Sequence, residues 1–389
     1  MLIARRIIAC AVVPISALVL GITITVVAAP SVATASLIGG GVTEFSAGLS
    51  PHSDVGTIVA GPAEQEWFTE FGSAAIGTIS PSGSITQFLS GLNAQSALGS
   101  IVEGPDGNLW FTDDGPVPAI GRITPSGVIT EFSSGLNAGS FPNQIVSGPD
   151  GDLWFTDSGL VPSIGRITPS GAITEFSHGL SRTSVPNNIV TGPDGDLWFT
   201  DDGFFPAIGQ VTPSGVVSEF ASGLNVASYP DHIIAGPNGD VWFTDSGITP
   251  AIGQVTSSGV ITEYTAGLSA LSNPSAIISG PDGDLWFTDN GTPAIGQVTP
   301  AGAITEFTAG LSAASFPDDI VAGSNGNLWF TDTGTSAIGQ VTPAGSITED
   351  TNGLDLGSVP NNIVAGPGAS LWFTDIGFFT AIGRIDSAF

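Results

Sequence analysis

Short apolar runs alternate along most of the chain with turns that are rich in glycine, proline and aspartate. A typical unit has an Ile-Val run before Gly-Pro-Asp-Gly, followed by Leu-Trp-Phe-Thr, Ala-Ile-Gly-Arg-Ile-Thr and Ile-Thr-Glu-Phe. Apolar runs of this length, bounded by turn residues, predict strands rather than helices. Each unit therefore predicts four strands, as in residues 144–147, 153–157, 163–168 and 172–176.

The Trp-Phe-Thr run recurs eight times and contains every tryptophan of the protein. Neighbouring copies are 43 or 44 residues apart, at Trp67, Trp110, Trp154, Trp198, Trp242, Trp286, Trp329 and Trp372. A fixed period of this size, with four short strands in each unit, is typical of a β-propeller, whose blades bury their faces only against neighbouring blades. We therefore predict an all-β fold, a β-propeller of eight four-stranded blades. Seven blades, with one unit packed outside the ring, is the alternative.

The two ends of the repeat predict how the ring closes. The last unit stops at Ala381-Ile382-Gly383-Arg384-Ile385 and lacks its fourth strand, whereas Val42-Thr43-Glu44-Phe45 at the start matches that missing strand. Pairing the two ends would remove the open sheet edges that an unclosed array exposes. We predict that the N-terminal strand completes the last blade.

Residues 1–35 have the features of a signal peptide. Arg5 and Arg6 precede an apolar run from Ile7 to Ala29, and Ala33-Thr34-Ala35 offers a small-residue cleavage site. The predicted domains are thus a signal peptide over residues 1–35 and one propeller over residues 36–389, in a protein that is secreted or held in the cell envelope. An uncleaved membrane anchor is the alternative, because the apolar run is about long enough to span a bilayer.

The charge of the chain limits its partners. Thirty-five acidic residues against six arginines and no lysine give a formal net charge of -29. Such a surface repels phosphate backbones and anionic lipid headgroups, so nucleic acid and anionic membranes are excluded as partners. We expect a monomer that binds an unidentified ligand or protein at the mouth of the propeller. Cys10 is the only cysteine, so a chain beginning at Ser36 has no disulfide.

Two positions in each unit carry polar side chains that can converge near the ring axis. A carboxylate ends every Trp-Phe-Thr strand, and Asn, Asp or Ser follows the proline that opens six of the inner strands. Carboxylate and amide oxygens are the ligands that Mg²⁺ and Ca²⁺ prefer. Strand-end capping through hydrogen bonds to loop amides is the alternative role. The candidate metal ligands are Asp157, Asp201, Asp231, Asp245, Asp289, Asp318 and Asp332.

These motifs resemble those of the virginiamycin B lyase (streptogramin B lyase) family. Gly-Pro-Asp-Gly-x-Leu-Trp-Phe-Thr-Asp/Glu, Ile-Gly-Arg-Ile-Thr-Pro-x-Gly and Ile-Thr-Glu-Phe carry the resemblance, from about Val42 to Arg384. The resemblance implies a propeller, usually of seven blades. It also implies an enzyme that opens cyclic depsipeptide antibiotics by elimination at an ester, with a histidine base and a magnesium ion.

The family's catalytic motif is missing from this sequence. In the family, Glu-Pro-His opens an inner strand and Trp-Phe-x-Glu follows, the histidine acting as base and the glutamates holding the metal. None of the matching triplets here, which include Phe141-Pro142-Asn143 and Tyr229-Pro230-Asp231, has that glutamate or histidine. His232 follows one residue later and should face away from Asp231, because strand side chains alternate. His52 and His178 fall in loops, so we assign no catalytic residue.

Two functions follow, from different classes. The first is a secreted, non-catalytic propeller that binds a ligand or protein at an acidic mouth, with Mg²⁺ or Ca²⁺ as the cofactors that this mouth admits. The second is a divergent metal-dependent lyase or hydrolase that opens a cyclic ester or lactone. As an enzyme it would be a carbon–oxygen lyase of the streptogramin B lyase type.

Overall fold

A computed structural model describes residues 41–386, and the predicted signal peptide lies outside this range. These residues form eight antiparallel sheets of four strands each, arranged as the eight blades of a propeller. The prediction of eight blades is confirmed, and the alternative of seven is wrong. The only helical segments in residues 41–386 are two single-turn 3₁₀ segments, Pro62–Glu64 and Pro367–Ala369. No helix in this part of the chain is long and apolar enough to cross a membrane.

Blades one to four follow one another along the chain, each with an inner, a second, a third and an outer strand. Blade 1 contains β2 (Val55–Gly61), β3 (Gln65–Glu70), β4 (Ala75–Ile79) and β5 (Ile85–Phe88). Blade 2 contains β6 (Leu98–Glu103), β7 (Leu109–Asp113), β8 (Ala119–Ile123) and β9 (Ile129–Phe132). Blade 3 contains β10 (Pro142–Ser147), β11 (Leu153–Asp157), β12 (Ser163–Ile167) and β13 (Ile173–Phe176). Blade 4 contains β14 (Pro186–Thr191), β15 (Leu197–Asp201), β16 (Ala207–Val211) and β17 (Val217–Phe220).

The remaining blades repeat this order, and the last one borrows its outer strand from the start of the chain. Blade 5 contains β18 (Pro230–Ala235), β19 (Val241–Asp245), β20 (Ala251–Val255) and β21 (Ile261–Tyr264). Blade 6 contains β22 (Pro274–Ser279), β23 (Leu285–Asp289), β24 (Ala294–Val298) and β25 (Ile304–Phe307). Blade 7 contains β26 (Pro317–Ala322), β27 (Leu328–Asp332), β28 (Ala337–Val341) and β29 (Ile347–Asp350). Blade 8 contains β30 (Pro360–Ala365), β31 (Ser370–Asp375), β32 (Ala381–Asp386) and β1 (Val42–Phe45).

Ring closure occurs where it was predicted. Strand β1 pairs antiparallel with β32, with Val42 opposite Ile385 and Phe45 opposite Ile382. The aromatic ring of Phe45 packs 6.0 Å from that of Trp372 in the same blade. Without β1, the last blade would present the unpaired backbone groups of β32 to solvent.

The hydrophobic core lies between neighbouring blades rather than inside them. Trp154 of blade 3, for example, is fully buried in a cluster with Ile189 and Phe199 of blade 4. A corresponding cluster joins Trp372 of blade 8 to Phe68 of blade 1, so the core continues around the ring. Because each blade buries its apolar side chains against its neighbours, we expect that a single unit of this sequence does not fold alone.

Hydrogen bonds to the indole N–H hold the tryptophans of six blades. The indole N–H of Trp154 donates to Asp150 Oδ1 at 3.1 Å, so the buried ring has its one donor satisfied. Asp150 belongs to the Asp-Gly turn, where Gly151 takes a φ of 83° that favours glycine. Arg166 of the third strand lies over the Trp154 ring at 5.6 Å and donates to Pro213 O in the next blade. These aspartates and the third-strand arginines are therefore part of the scaffold.

Candidate functional site

A polar cavity of about 530 Å³ opens along the inner strands of seven blades. Blades 1 and 2 contribute small side chains such as Thr57 and Ser100. The other five blades contribute larger polar side chains, among which are Gln144, Asn188, His232, Asp319 and Asn362. We call this cavity the axial pocket.

A β-bulge in every inner strand creates the lining of the axial pocket. In blade 3, Pro142 pairs with Asp157 and Ile145 pairs with Phe155, so Asn143 and Gln144 together face a single residue of the second strand. The same shift of register occurs between the first and second strands of all eight blades. Because a bulge interrupts the alternation of side chains, both residues of the pair can contribute to one surface.

The bulge bears on the prediction made for His232, which assumed strict alternation of side chains. Strict alternation would direct His232 away from the side of Asp231, but the register shifts between Pro230 and Ile233. His232 lines the axial pocket, and it lies close enough to Asp231 and Asp319 to interact with both electrostatically. The sequence analysis likewise missed Gln144, Asn188, Asp319 and Asn362, which occupy the same second position of the bulge.

A threonine of the second strand satisfies the bulge in blades 1 to 7. Thr156 Oγ1 accepts a hydrogen bond from the Gln144 amide at 3.1 Å and donates to Asn187 O of the next blade at 2.6 Å. The extra residue of a bulge would otherwise leave a buried amide without a partner. The hydroxyl thus supports the pocket lining and also links two blades.

Side chains of neighbouring blades bond to one another around the axis. Asn143 Nδ2 donates to Asn187 Oδ1 at 2.7 Å, and Asn361 Nδ2 donates to Asp318 Oδ2 at 2.8 Å. Asp319 Oδ2 accepts the Ile363 amide of blade 8 at 2.9 Å. These bonds between blades hold the polar side chains in place before any ligand arrives.

The electrostatic character of the axial pocket differs between its two sides. Amide side chains dominate in blades 3, 4 and 8, whereas blades 5 and 7 contribute His232 and Asp319 to the lining. Asp231 and Asp318 lie close enough to interact electrostatically with one another. Burial raises the pKa of Asp318 to about 6, and the charges of Asp319 and Asp231 add to this shift. Burial also raises the pKa of Asp319 and of Asp231, an effect that the nearby imidazole of His232 opposes. Neither lysine nor arginine lines the pocket, so it favours neutral or cationic groups.

The strand-end aspartates lie elsewhere, at the edge of each blade. Asp157 is fully buried, and its Oδ1 accepts the amides of Phe141 and Gly159, each at 2.8 Å. The same two bonds recur at the other predicted strand-end ligands, Asp201, Asp245, Asp289 and Asp332. This is the geometry that strand-end capping requires.

Each strand-end aspartate also meets a glutamate of the outer strand. Glu175 Oε2 accepts the Asn137 amide at 2.6 Å, and the Glu175 carboxyl lies within hydrogen-bonding reach of Asp157. Burial and the Asp157 carboxylate raise the pKa of Glu175 to about 7. Such pairs occur in blades 2 to 8, whereas blade 1 combines Glu70 with Gln87. The sequence identified these aspartates as candidate ligands but predicted that they lie near the ring axis. It did not predict their glutamate partners.

The predicted metal ligands thus fall into two separate groups. Only Asp231 and Asp318 lie beside the axis, and the five strand-end aspartates are engaged at the blade edges. Within residues 41–386, no three histidine, cysteine or acidic side chains converge as ligands of a metal ion. A magnesium ion held as in the resembling family therefore does not fit the residues present, because Mg²⁺ and Ca²⁺ need more oxygen ligands than one pair of carboxylates supplies.

Known structures show which proteins this chain is similar to. A streptogramin B lyase is 27% identical with a TM-score of 0.62, covering 89% of this chain and 97% of that one. A virginiamycin B lyase from Staphylococcus aureus is 32% identical with a TM-score of 0.61, covering 75% of this chain and 96% of that one. A propeller named Dos1 has a TM-score of 0.68 at 9% identity, a likeness of fold alone.

The sequence profile of the virginiamycin B lyase family matches residues 21–269 and 161–388, which together span almost the whole propeller. No curated protein matches the chain. The profile and the 32% identity to the Staphylococcus aureus enzyme agree with the repeated motifs and with the fold. The chain belongs to the virginiamycin B lyase family.

Proposed function

We propose that this member of the family is a secreted, non-catalytic protein that binds a small polar ligand in its axial pocket. One observation carries the proposal, namely that the repeats diverge where they line the pocket. The Trp-Phe-Thr run is the same in all eight blades, but the bulge pair differs. In chain order the pairs are Gly-Thr, Gly-Ser, Asn-Gln, Asn-Asn, Asp-His, Ser-Ala, Asp-Asp and Asn-Asn.

A structural role alone does not account for this divergence. The bulge needs only a backbone amide for the threonine hydroxyl, a contact that Asn188 and His232 make at 3.1 Å as well as Gln144 does. Any residue except proline supplies that amide. Distinct side chains around one pocket are what recognition of an asymmetric ligand requires.

The chemistry of the lining defines the ligand class. Asn and Gln side chains both donate and accept hydrogen bonds, and they suit hydroxyl and carbonyl groups. The carboxylate of Asp319 suits an ammonium group, and the lining contains no lysine or arginine that would attract an anion. We therefore expect a neutral or amine-bearing polyhydroxy compound, for which a cavity of about 530 Å³ has room.

The chain lacks the residues with which the family carries out elimination. The inner strands lack the Glu-Pro-His triplet, and Trp-Phe-Thr-Glu occurs only at Trp67–Glu70. Elimination at an ester needs a positioned base, and asparagine cannot serve as one at neutral pH. The relatives described as lyases therefore support the fold of this chain more directly than its activity.

Calorimetry with three sugars of similar size tests the ligand class. We expect D-glucosamine to bind more tightly than D-glucose, and D-gluconate not to bind. Asp319→Asn should remove the preference for glucosamine, while Glu103→Gln, at an exposed position, should leave it unchanged. Gluconate binding as tightly as glucosamine, or no binding of any of the three sugars, would contradict the proposal.

The alternative of a divergent enzyme is favoured by one observation, the position of His232. Its imidazole lines the pocket and interacts with the Asp319 carboxylate, an arrangement in which a histidine could accept a proton. Incubation of the protein with a cyclic ester or lactone, followed by mass spectrometry, tests this function. Ring opening that is lost in His232→Ala would establish the enzyme and overturn the non-catalytic proposal.

A further inference from the structure

The junction that closes the propeller contains one of the Asp–Glu pairs. Glu44 lies on β1, and its partner Asp375 ends β31 of the same blade. In blades 2 to 7 the corresponding pair belongs to the second and fourth strands of one continuous segment, with only the third strand between them in the chain. In blade 8 the two residues come from opposite ends of the sequence, so their contact forms only when the ring closes.

One of the four oxygen atoms of these two carboxyl groups has no hydrogen-bond donor from the surrounding residues. Asp375 Oδ1 accepts the amides of Val359 and Gly377, each at 2.7 Å. Asp375 Oδ2 is buried and has no hydrogen-bond donor among residues 41–386. Glu44 Oε2 accepts the Asp355 amide at 2.6 Å and Glu44 Oε1 accepts the Ser358 hydroxyl at 3.1 Å. The Glu44 carboxyl lies within hydrogen-bonding reach of Asp375. Two carboxyl groups can bond to one another only if a proton lies between them.

Within residues 41–386, no cationic side chain acts on this pair. Besides Asp375, the groups that act on Glu44 are the Asp355 amide and the Ser358 hydroxyl in the loop before β30. Arg384 of the paired strand β32 lies over the Phe45 ring at 5.7 Å, and its Nε lies 3.1 Å from Asp386. Side chains of adjacent strand residues point to opposite faces, so Arg384, on the Phe45 side, does not neutralise Glu44.

Blade 1 shows how the same position is satisfied without a proton. There the outer strand carries Gln87, whose amide donates to Glu70 Oε1 at 2.7 Å and to Glu70 Oε2 at 2.5 Å. An amide donor thus replaces the carboxylic acid that the other seven blades need. Blade 1 is a natural reference for the protonated pair.

We propose that a proton shared by Glu44 and Asp375 fastens β1 to the ring, and that the closing strand is released more often as pH rises. Burial and the Asp375 carboxyl raise the pKa of Glu44 to about 8. Because this pKa is above that of a solvated glutamate, the closed ring binds a proton that the open ring releases. The added stability is complete below about pH 4.5 and is lost as pH rises through about 8.

Hydrogen–deuterium exchange of the full chain, corrected for the intrinsic effect of pH, tests this proposal. The amides of residues 42–45 should lose protection by about tenfold per pH unit between about pH 5 and about pH 7.5, with a plateau above the pKa of Glu44. Strand β5, whose pair is Glu70 and Gln87, is the reference within the same molecule. Glu44→Gln, which copies blade 1, should abolish the pH dependence at β1.

A matched variant separates closure from general stability. Glu131→Gln makes the same change in blade 2, where β9 is joined to β8 through a short turn. We expect it to leave the exchange of residues 42–45 as pH-dependent as in the parent protein. Constant protection of β1 across this pH range in the parent protein would overturn the proposal. So would a pH dependence in Glu44→Gln equal to that of the parent.

Discussion

The hydroxyl of Thr200 in blade 4 donates a hydrogen bond to the backbone oxygen of Asp231 in blade 5, at 2.9 Å. The same oxygen atom of Thr200 accepts the Asn188 amide at 3.1 Å. One side chain therefore satisfies the bulge beneath the axial pocket and fixes the distance between two inner strands. Because this contact recurs around the ring, the scaffold and the pocket depend on the same threonines.

Replacing this threonine should destabilise the protein by an amount that depends on the blade. Thr200→Val leaves the Asn188 amide and the Asp231 carbonyl without a partner, so we expect a loss of about 2–4 kcal/mol in the free energy of unfolding. Thr374 of blade 8 is the matched control, because its buried hydroxyl has no hydrogen-bond partner within residues 41–386. Thr374→Val should cost less than about 1 kcal/mol. Equal losses of the two variants in urea unfolding would contradict this account.

The outer-strand glutamates should make stability depend on pH. Burial and the Asp201 carboxyl raise the pKa of Glu219 to about 8, so the folded chain binds a proton that the unfolded chain releases. Stability therefore falls as pH rises from the pKa of a free glutamate through about 8. Glu219→Gln would supply an amide donor to Asp201, as Gln87 does to Glu70. We expect the variant to raise the Tm at pH 8 by about 2–4 °C and to give no gain at pH 5.

Calorimetric scans at the two pH values, with Glu103→Gln as an exposed control, measure this effect. A gain in Tm that is the same at both values would indicate a change in packing rather than in proton binding.

The sequence predicted the fold because one period carries all the strands. Each Trp-Phe-Thr run marks a second strand, and the missing fourth strand of the last unit identifies Val42–Phe45 as its replacement. The pocket lining was harder to predict. A bulge after the proline has no characteristic composition, so the sequence did not predict that the residue after it, such as His232, lines the pocket. The glutamate partners were missed because Asp157 and Glu175 lie two strands apart, a contact that spacing along the chain does not display.

Removing the closing strand should open the ring. A chain that begins at Ser46 lacks β1, so β32 becomes an open edge and Trp372 loses the Phe45 ring that packs 6.0 Å away. We expect a lower Tm and concentration-dependent self-association, because an exposed edge strand pairs with other chains. Light scattering and calorimetry check this outcome. A chain that begins at Gly41 keeps β1 and is the control, and equal Tm values for the two chains would show that closure does not depend on β1.

Divalent cations test the separation of the two groups of aspartates. We expect Ca²⁺ and Mg²⁺ to bind with dissociation constants no lower than about 1 mM, because no three acidic or histidine side chains of residues 41–386 converge as ligands of a metal ion. Asp231→Asn should abolish this weak binding in a calorimetric titration of the chain from Ser36. Asp245→Asn should preserve it, because Asp245 Oδ1 is occupied by the amides of Tyr229 at 2.7 Å and Gly247 at 2.8 Å. Tight binding that is lost in Asp245→Asn would instead make the strand-end carboxylates metal ligands, and the shared protons at the blade edges would then have to be replaced by cations.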